Sequence, residues 1–122
     1  MKSYTDLEQS KKLVEILPIE SADMYWKNGI SDKYFQCFTP FVRDATNMDY
    51  DYDVPCWSLA AMLDVLPILE RKGYQKSKPQ LLYNVAINKW IVDSHVYTTD
   101  AYNNPIDACY ELILKLHEQK LL

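Results

Sequence analysis

The stretch from Asp53 to Gly73, DVPCWSLAAMLDVLPILERKG, constrains the fold more than any other part of the chain. It has the longest run of apolar residues at the i, i+3, i+4, i+7 spacing that places them on one face of a helix. Asp53 is a suitable N-cap, Pro55 is tolerated in a first helical turn, and Gly73 is a suitable terminator. The pattern predicts a central core helix over residues 53–73, with a kink or a restart at Pro67. Its apolar face comprises Leu59, Met62, Leu63, Leu66 and Leu69.

Two further helices are predicted near the ends of the chain. Thr5 followed by Glu8 is a capping-box pattern, and the helix that it opens should stop at Pro18. Near the C terminus, Asn104 is a predicted N-cap with Pro105 at the first helical position. The apolar stripe of this last helix comprises Ala108, Leu112, Ile113 and Leu116.

Two hairpins are predicted between the helices. Asn28-Gly29 is a two-residue turn signal that lies between possible strands at 24–26 and 34–38, and Pro40 should end the second strand. Residues 80–98 form the clearer pair if Asn88-Lys89 is the turn. The face turned to the helices then holds the pairs Ile87/Trp90, Val85/Val92, Tyr83/Ser94 and Leu81/Val96, and His95 lies on the opposite face.

Together these elements predict an α+β fold in which three helices pack on one face of a small antiparallel sheet of 3–4 strands. The length of 122 residues predicts a single compact domain over residues 1–122. The net charge of −4, without a block of basic residues, disfavours direct binding to nucleic acid or to anionic membranes. An acidic mimic of nucleic acid fits the sign of this charge, but the magnitude is modest.

The composition also bears on location. No apolar run approaches the ~20 residues that a transmembrane helix needs, and the polar N terminus does not resemble a signal peptide. The three cysteines are odd in number and widely spaced, as expected for reduced thiols. We therefore expect a cytoplasmic protein, a monomer or homodimer with no cofactor.

Cys56 is the sharpest candidate for chemistry. In the first turn of the predicted helix, its thiol would feel the positive end of the helix dipole, which favours the thiolate. Papain-like and NlpC/P60-like cysteine peptidases have the same order of elements, with a histidine on a following strand. Here His95 follows, beside Asp93. The surrounding residues lack the glycine and serine typical of those families, so a structural Cys56 is the competing interpretation.

Metal sites are weakly indicated. The segment Asp49-Tyr50-Asp51-Tyr52-Asp53 has the rhythm that opens an EF-hand loop. The loop then requires glycine at its sixth position and glutamate at its twelfth, where this chain has Val54 and Ala60. No pair of cysteines or histidines has the short spacing of a zinc site. We therefore predict no metal and interpret the segment as a solvated acidic surface.

Three pieces of the chain resemble a family of short hypothetical proteins of Bacteroides-type gut bacteria and of their phages or mobile elements. The pieces are YTDLEQSKKLVEILPIESADMYW, CWSLAAMLDVLP and YNNPIDACYELILKLHE, which cover about half of the chain. The resemblance implies a cytoplasmic bacterial or phage setting. It implies no activity, cofactor or catalytic residue.

Taken together, these patterns favour a non-enzymatic binding or accessory protein that contacts another protein. The expected contact region combines the acidic segment 44–53 with nearby aromatic residues. Its predicted binding residues are Trp26, Asp49, Tyr50, Asp51 and Tyr52. The alternative is a small cysteine-dependent hydrolase that uses Cys56, His95 and Asp93.

Overall fold

The computed structural model describes residues 2–32, 35–42, 53–69, 76–94 and 97–122, with the backbone alone for 28–32 and 35–42. The described elements confirm the α+β class. No described helix is long and apolar enough to cross a membrane. In chain order the elements are α1 (Leu7–Val14), a short 3-10 helix (Ile19–Ser21), β1 (Met24–Asp32), β2 (Phe35–Val42), β3 (Val54–Cys56), α2 (Leu59–Val65), β4 (Gln80–Asn84), β5 (Lys89–Asp93) and α3 (Pro105–Glu118).

The chain divides into two compact units. The N-terminal unit is Tyr4–Ala61, and the C-terminal unit comprises the described residues of Met62–Leu122 and Met1–Ser3. The strands lie in two sheets, a three-stranded sheet of order β2-β1-β3 and a two-stranded sheet of β4 and β5. The single domain over residues 1–122 stays a prediction.

The sheet of the N-terminal unit corrects the first predicted hairpin. Asn28 and Gly29 are not a turn, because they lie inside β1, opposite Phe38 and Cys37 of β2. Pro40 does not end β2 either, since the strand continues to Val42. β2 is an edge strand of the sheet. An edge strand tolerates proline because its outer backbone groups have no ladder partner to lose.

The predicted central helix is the largest correction. Val54, Pro55 and Cys56 are strand residues that pair with Trp26, Tyr25 and Met24 of β1.

The helical part of that stretch is α2, Leu59–Val65. The hydroxyl of Ser58 accepts a hydrogen bond from Ala61 N (3.2 Å), which is the N-cap role that the sequence pattern assigned to Asp53. Pro67 comes two residues after the last residue of α2. It has no backbone N–H, so it cannot donate the hydrogen bond that a longer helix would require at this position. The predicted terminator Gly73 lies outside the described residues.

The cap of α1 is shifted by one residue from the prediction. Asp6 and Gln9 form the capping box, in which Gln9 N donates to Asp6 Oδ1 (2.8 Å) and Asp6 N donates to Gln9 Oε1 (3.1 Å). Thr5 is instead fully buried and bonded to residues far along the chain. The helix ends at Val14, and Pro18 precedes the 3-10 helix. α1 contacts β3.

In the C-terminal unit the predicted register of the second hairpin is wrong by four residues. Val92 pairs with Leu81 rather than with Val85, and Trp90 pairs with Tyr83 rather than with Ile87. The residues between the strands, 85–88, form the turn, and Asn88 has the positive φ of 52° that such a turn requires. Because the shift is even, Leu81, Tyr83, Trp90 and Val92 still share a face, as predicted.

The last helix confirms its prediction. Asn104 caps α3 by accepting a hydrogen bond from Asp107 N (2.9 Å), and Pro105 occupies the first turn. Lys2 Nζ binds Asp107 Oδ1 at 2.9 Å. The helix contacts β5. Its buried residues include the whole predicted stripe and are Pro105, Ile106, Ala108, Cys109, Leu112, Ile113 and Leu116.

Candidate functional site

Cys56 lies in a buried cluster of polar groups in the N-terminal unit. It is the last residue of β3 and is fully buried. The Thr5 hydroxyl lies 3.5 Å from its Sγ, and Sγ lies 3.4 Å from the Thr5 carbonyl oxygen. Thr5 Oγ1 also contacts Ser10 Oγ at 2.7 Å and accepts a hydrogen bond from Trp57 N at 3.1 Å. These bonds satisfy the polar groups that folding removes from water.

The electrostatics of this cluster do not activate the thiol. Burial raises the pKa of Cys56, and hydrogen bonds from Thr5 and Ser10 offset only part of that rise. The predicted activation by a helix terminus is wrong because Cys56 ends a strand and α2 begins three residues later. A thiol that is both buried and protonated at neutral pH is a poor nucleophile.

The other members of the predicted catalytic set are not assembled in the described part of the chain. His95 lies outside the described residues. Asp93 ends β5, is exposed, and accepts a hydrogen bond from Thr98 Oγ1 at 2.6 Å. Cys109 is also buried, and burial raises its pKa to about 12. Neither of the two cysteines whose side chains the structure describes, Cys56 and Cys109, is activated.

Trp26 is the one predicted binding residue whose side chain is described. It is half-buried, and its indole ring contacts other residues of the N-terminal unit. Its Nε1 lies 3.2 Å from both the Thr5 carbonyl oxygen and Ser10 Oγ, and the ring packs edge-on against Tyr4 with 5.7 Å between centroids. Asp49, Tyr50, Asp51 and Tyr52 lie outside the described residues, so the acidic contact region stays a prediction.

No group of three or more histidine, cysteine, aspartate or glutamate side chains within the described ranges is placed to hold a metal ion. Asp53 is the only described member of the EF-hand-like segment. Its side chain is buried, with Oδ2 at 3.8 Å from Lys27 Nζ. Asp53 therefore has a cationic neighbour within the protein.

Each unit has a small depression on its described surface. In the N-terminal unit, a groove of about 230 Å³ is lined by Lys11, Val14, Ile19, Asp53, Val54 and Pro55. In the C-terminal unit, a depression of about 110 Å³ is lined by Ser77, Lys78, Gln80, Asp93 and Ser94. In the second depression the Ser94 hydroxyl donates to the carbonyl oxygen of Tyr97 (2.6 Å).

The most distinctive surface is the hairpin formed by β4, the turn 85–88 and β5. Four of its large apolar side chains are exposed: Leu82 (45%), Tyr83 (45%), Val85 (76%) and Ile87 (50%). We call these four residues the hairpin surface. The Tyr83 and Trp90 rings are 4.9 Å apart, and Val92 is fully buried, so the base of the hairpin is anchored. As consecutive strand residues, Leu82 and Tyr83 point to opposite faces, so apolar area is exposed on both faces of the hairpin. Exposed apolar side chains on an anchored element are typical of an interaction site.

Backbone hydrogen bonds show which edge of this sheet is occupied. Trp90 N donates to Tyr102 O (2.7 Å), and Tyr102 N donates to Trp90 O (2.9 Å). Likewise Thr99 N donates to Val92 O (3.0 Å), and Val92 N donates to Thr99 Oγ1 (3.0 Å). Trp90 and Val92 thus direct their backbone groups away from β4. The segment around Thr99 and Tyr102 covers the outer edge of β5.

The opposite edge follows from the alternation of an antiparallel ladder. Leu81 and Tyr83 are opposite Val92 and Trp90, and partners in such a ladder either exchange both bonds or exchange neither. Leu81 and Tyr83 therefore point their N–H and C=O groups away from β5. Among the described residues no strand pairs with this side of β4. β4 is an edge strand with two outward donors and two outward acceptors.

Sequence reasoning missed this surface because it assigned Val85 and Ile87 to the buried face of a longer hairpin. One signal was available. The ten residues from Pro79 to Asn88 carry no charge, although lysine lies at each border, at Lys78 and Lys89. Uncharged edge strands are uncommon in monomeric proteins because they promote association.

Comparisons with known proteins identify no relative of the chain. No protein-family model, no curated protein and no solved structure matches the chain.

Proposed function

We propose that the protein is a small, non-enzymatic protein-binding module whose contact site is the hairpin surface. The observation that carries the proposal is the exposure of Leu82, Tyr83, Val85 and Ile87 on one short hairpin. Large apolar side chains are unfavourable in water, and a protein partner that covers them gains the free energy of removing this apolar area from water. The absence of charge between Lys78 and Lys89 favours a protein partner over nucleic acid, because phosphate recognition relies on clustered basic residues.

The buried state of the thiols supports a non-enzymatic role. Cys56 and Cys109 are both fully buried, with raised pKa values. The acidic segment 44–53, with Trp26, is proposed as a second part of the contact region. A cytoplasmic setting in a gut bacterium, phage or mobile element is proposed on the resemblance alone. The packing of all three helices on one face of a sheet likewise stays a proposal.

The test is site-specific photocross-linking in cells that make the protein. A photoreactive phenylalanine analogue replaces Ile87, which is half exposed in the turn, and the matched control places it at Glu118, exposed at the end of α3. We expect a discrete covalent adduct from position 87 that is absent from position 118.

A second variant, Val85→Asp, probes the same surface without touching a buried group, since Val85 is 76% exposed. Surface substitutions of this kind change stability by about 0.5 kcal/mol or less. We expect Val85→Asp to weaken the adduct at position 87 with an unchanged melting temperature. Equal adducts at positions 87 and 118, or none at either, would overturn the proposal.

A further inference from the structure

We propose that the partner of the hairpin surface is a second copy of this chain, joined by antiparallel pairing of β4 with β4 of the copy about a two-fold axis at Leu82. This inference rests on the proposed function and names its partner. The product is a four-stranded antiparallel sheet in the order β5-β4-β4-β5. Its contact combines the backbone edge of β4 that no described strand covers with the exposed side chains of the hairpin surface.

The backbone of β4 sets the register. Its outward groups belong to Leu81 and Tyr83, so these two residues must face residues that also point outward. With Leu82 opposite Leu82 of the copy, Leu81 lies opposite Tyr83 at both ends of the contact. Each such pair exchanges two hydrogen bonds, and the whole edge is satisfied.

The neighbouring symmetric registers are poorer. A two-fold axis normal to the sheet places one residue of β4 opposite the same residue of the copy. Moving the axis by one residue shifts the pairing of the two strands by two residues, because paired residues must share a face of the sheet. Centring on Leu81 places Tyr83 opposite Pro79, which has no N–H to donate. Centring on Tyr83 places Leu81 opposite Val85, which belongs to the turn. The Leu82 register alone pairs every outward group with another strand residue.

The side chains of β4 are self-complementary in this register. The strand Gln80-Leu81-Leu82-Tyr83-Asn84 has an amide at each end and three apolar residues between them. Leu82 meets Leu82 of the copy, and Ile91 lies beside Leu82 in each chain, so the joined sheets share an apolar row. Gln80 meets Asn84, which pairs amide with amide. Because β4 has no charged residue, the register brings no like charges together.

The other sheet supplies a contrast within the same chain. Both outer strands of the three-stranded sheet contain proline, Pro40 in β2 and Pro55 in β3. Proline on an edge removes a donor and discourages pairing with another chain. β4 contains neither proline nor a charge. A second copy is favoured over an unrelated extended peptide because β4 complements its own sequence end to end.

The experiment is sedimentation velocity on the purified full chain over a range of concentrations, with variants that introduce a charge at the symmetry axis. A five-residue strand contact is small, so the range should extend to about 1 mM. The wild type is expected to shift from monomer to dimer as concentration rises. Leu82→Lys and Leu82→Glu each place two like charges directly opposite, and each should weaken dimerisation by at least about tenfold.

An equimolar mixture of Leu82→Lys and Leu82→Glu places opposite charges across the axis and should regain association as a heterodimer. The matched control is the pair Ile68→Lys and Ile68→Glu, because Ile68 is 64% exposed and lies outside the hairpin. These control variants should dimerise like the wild type. Thermal melting of all four variants checks the fold, and Leu82, being 45% exposed, should tolerate either charge.

A wild type that remains monomeric throughout overturns the inference, as does a dimer unaffected by either Leu82 substitution. A mixture that fails to recover association while both variants remain folded overturns the two-fold register. The proposed function is tested separately by the cross-link at position 87. An adduct of twice the chain mass supports the second copy, whereas an adduct with a different protein and a monomeric wild type keeps the function and refutes this inference.

Discussion

The outer strands of the two sheets differ in sequence and in what covers their edges. In the N-terminal unit, both outer strands carry proline, and β3 also contacts α1. In the C-terminal unit, the outer edge of β5 is bonded to the segment around Thr99 and Tyr102, while β4 has no strand on its other side in the described chain. The difference lies in local backbone chemistry: proline removes a donor from each outer strand of one sheet, whereas β4 contains no proline.

The interiors of the units differ as well. The N-terminal unit buries hydroxyls and a thiol, at Thr5, Ser10 and Cys56, and satisfies them with one another and with backbone groups. The C-terminal unit is stabilised mainly by apolar residues of α3, including Leu112 and Leu116. Both interiors remove apolar area from water, and the first also contains a cluster of buried hydroxyls whose hydrogen bonds must be satisfied.

The largest effect is expected in the apolar interior. Leu112 is fully buried, so Leu112→Ala removes buried carbons and leaves a cavity. The expected loss in the free energy of unfolding is about 2–5 kcal/mol. Urea denaturation measures it, with Val85→Ala as the control, since Val85 is exposed and its truncation should cost about 0.5 kcal/mol or less. Similar losses for both variants would refute the division into buried helix and exposed turn.

The polar interior is tested by Thr5→Val, which keeps the shape of the side chain and removes its hydroxyl. Trp57 N then loses its partner at 3.1 Å while it remains buried. The expected cost is about 1–3 kcal/mol. Thr98→Val is the control, because its hydroxyl binds Asp93 at an exposed position and its loss should cost under about 1 kcal/mol. Equal costs in urea denaturation would show that the buried cluster contributes nothing specific.

The direction of the β4 backbone is tested by proline at neighbouring positions. Leu82→Pro removes an N–H directed to β5, whereas Leu81→Pro removes an N–H directed outward. We expect Leu82→Pro to destabilise the fold by about 1–3 kcal/mol more than Leu81→Pro. Thermal and urea unfolding of the two variants measure this difference in stability. The reverse order would mean that β4 presents the other set of backbone groups at its edge.

The smallest effect is a pH dependence in the C-terminal unit. Burial raises the pKa of Cys109 from 9.0 to about 12, so the folded state favours the protonated thiol. The stability due to this preference is complete below pH 9 and is lost as the pH rises toward 12. Unfolding free energies of the wild type and Cys109→Ala should differ by a constant below pH 9, and the difference should fall by about 1 kcal/mol by pH 10.

Burial and Glu111 raise the pKa values of two tyrosines in the same unit, Tyr97 and Tyr102. They are present in both proteins and cancel in the difference. Parallel stability curves for the wild type and Cys109→Ala up to pH 10 would contradict the buried, protonated thiol.

Several features were predictable because they depend on residues close together in the chain. α3 is the clearest case, since Asn104, Pro105 and the apolar spacing that follows all act within one helix. The face shared by Leu81, Tyr83, Trp90 and Val92 was predictable from alternation, although the pairing was not. The pairing depended on the turn conformation at Asn88, and a two-residue turn at Asn88-Lys89 was an equally reasonable local choice.

Local sequence therefore determined the α+β class, α3 and the faces of the hairpin, because helical and strand periodicity are properties of neighbouring residues. The tertiary structure decided the position of Cys56. Residues 54–56 fit a helix start by their local pattern, but they pair with the backbone of β1 and become a buried strand. It also decided which edge is open, because segment 97–102 bonds to β5 and leaves the outer side of β4 without a strand in the described chain. Such long-range backbone bonds have no signature in local periodicity.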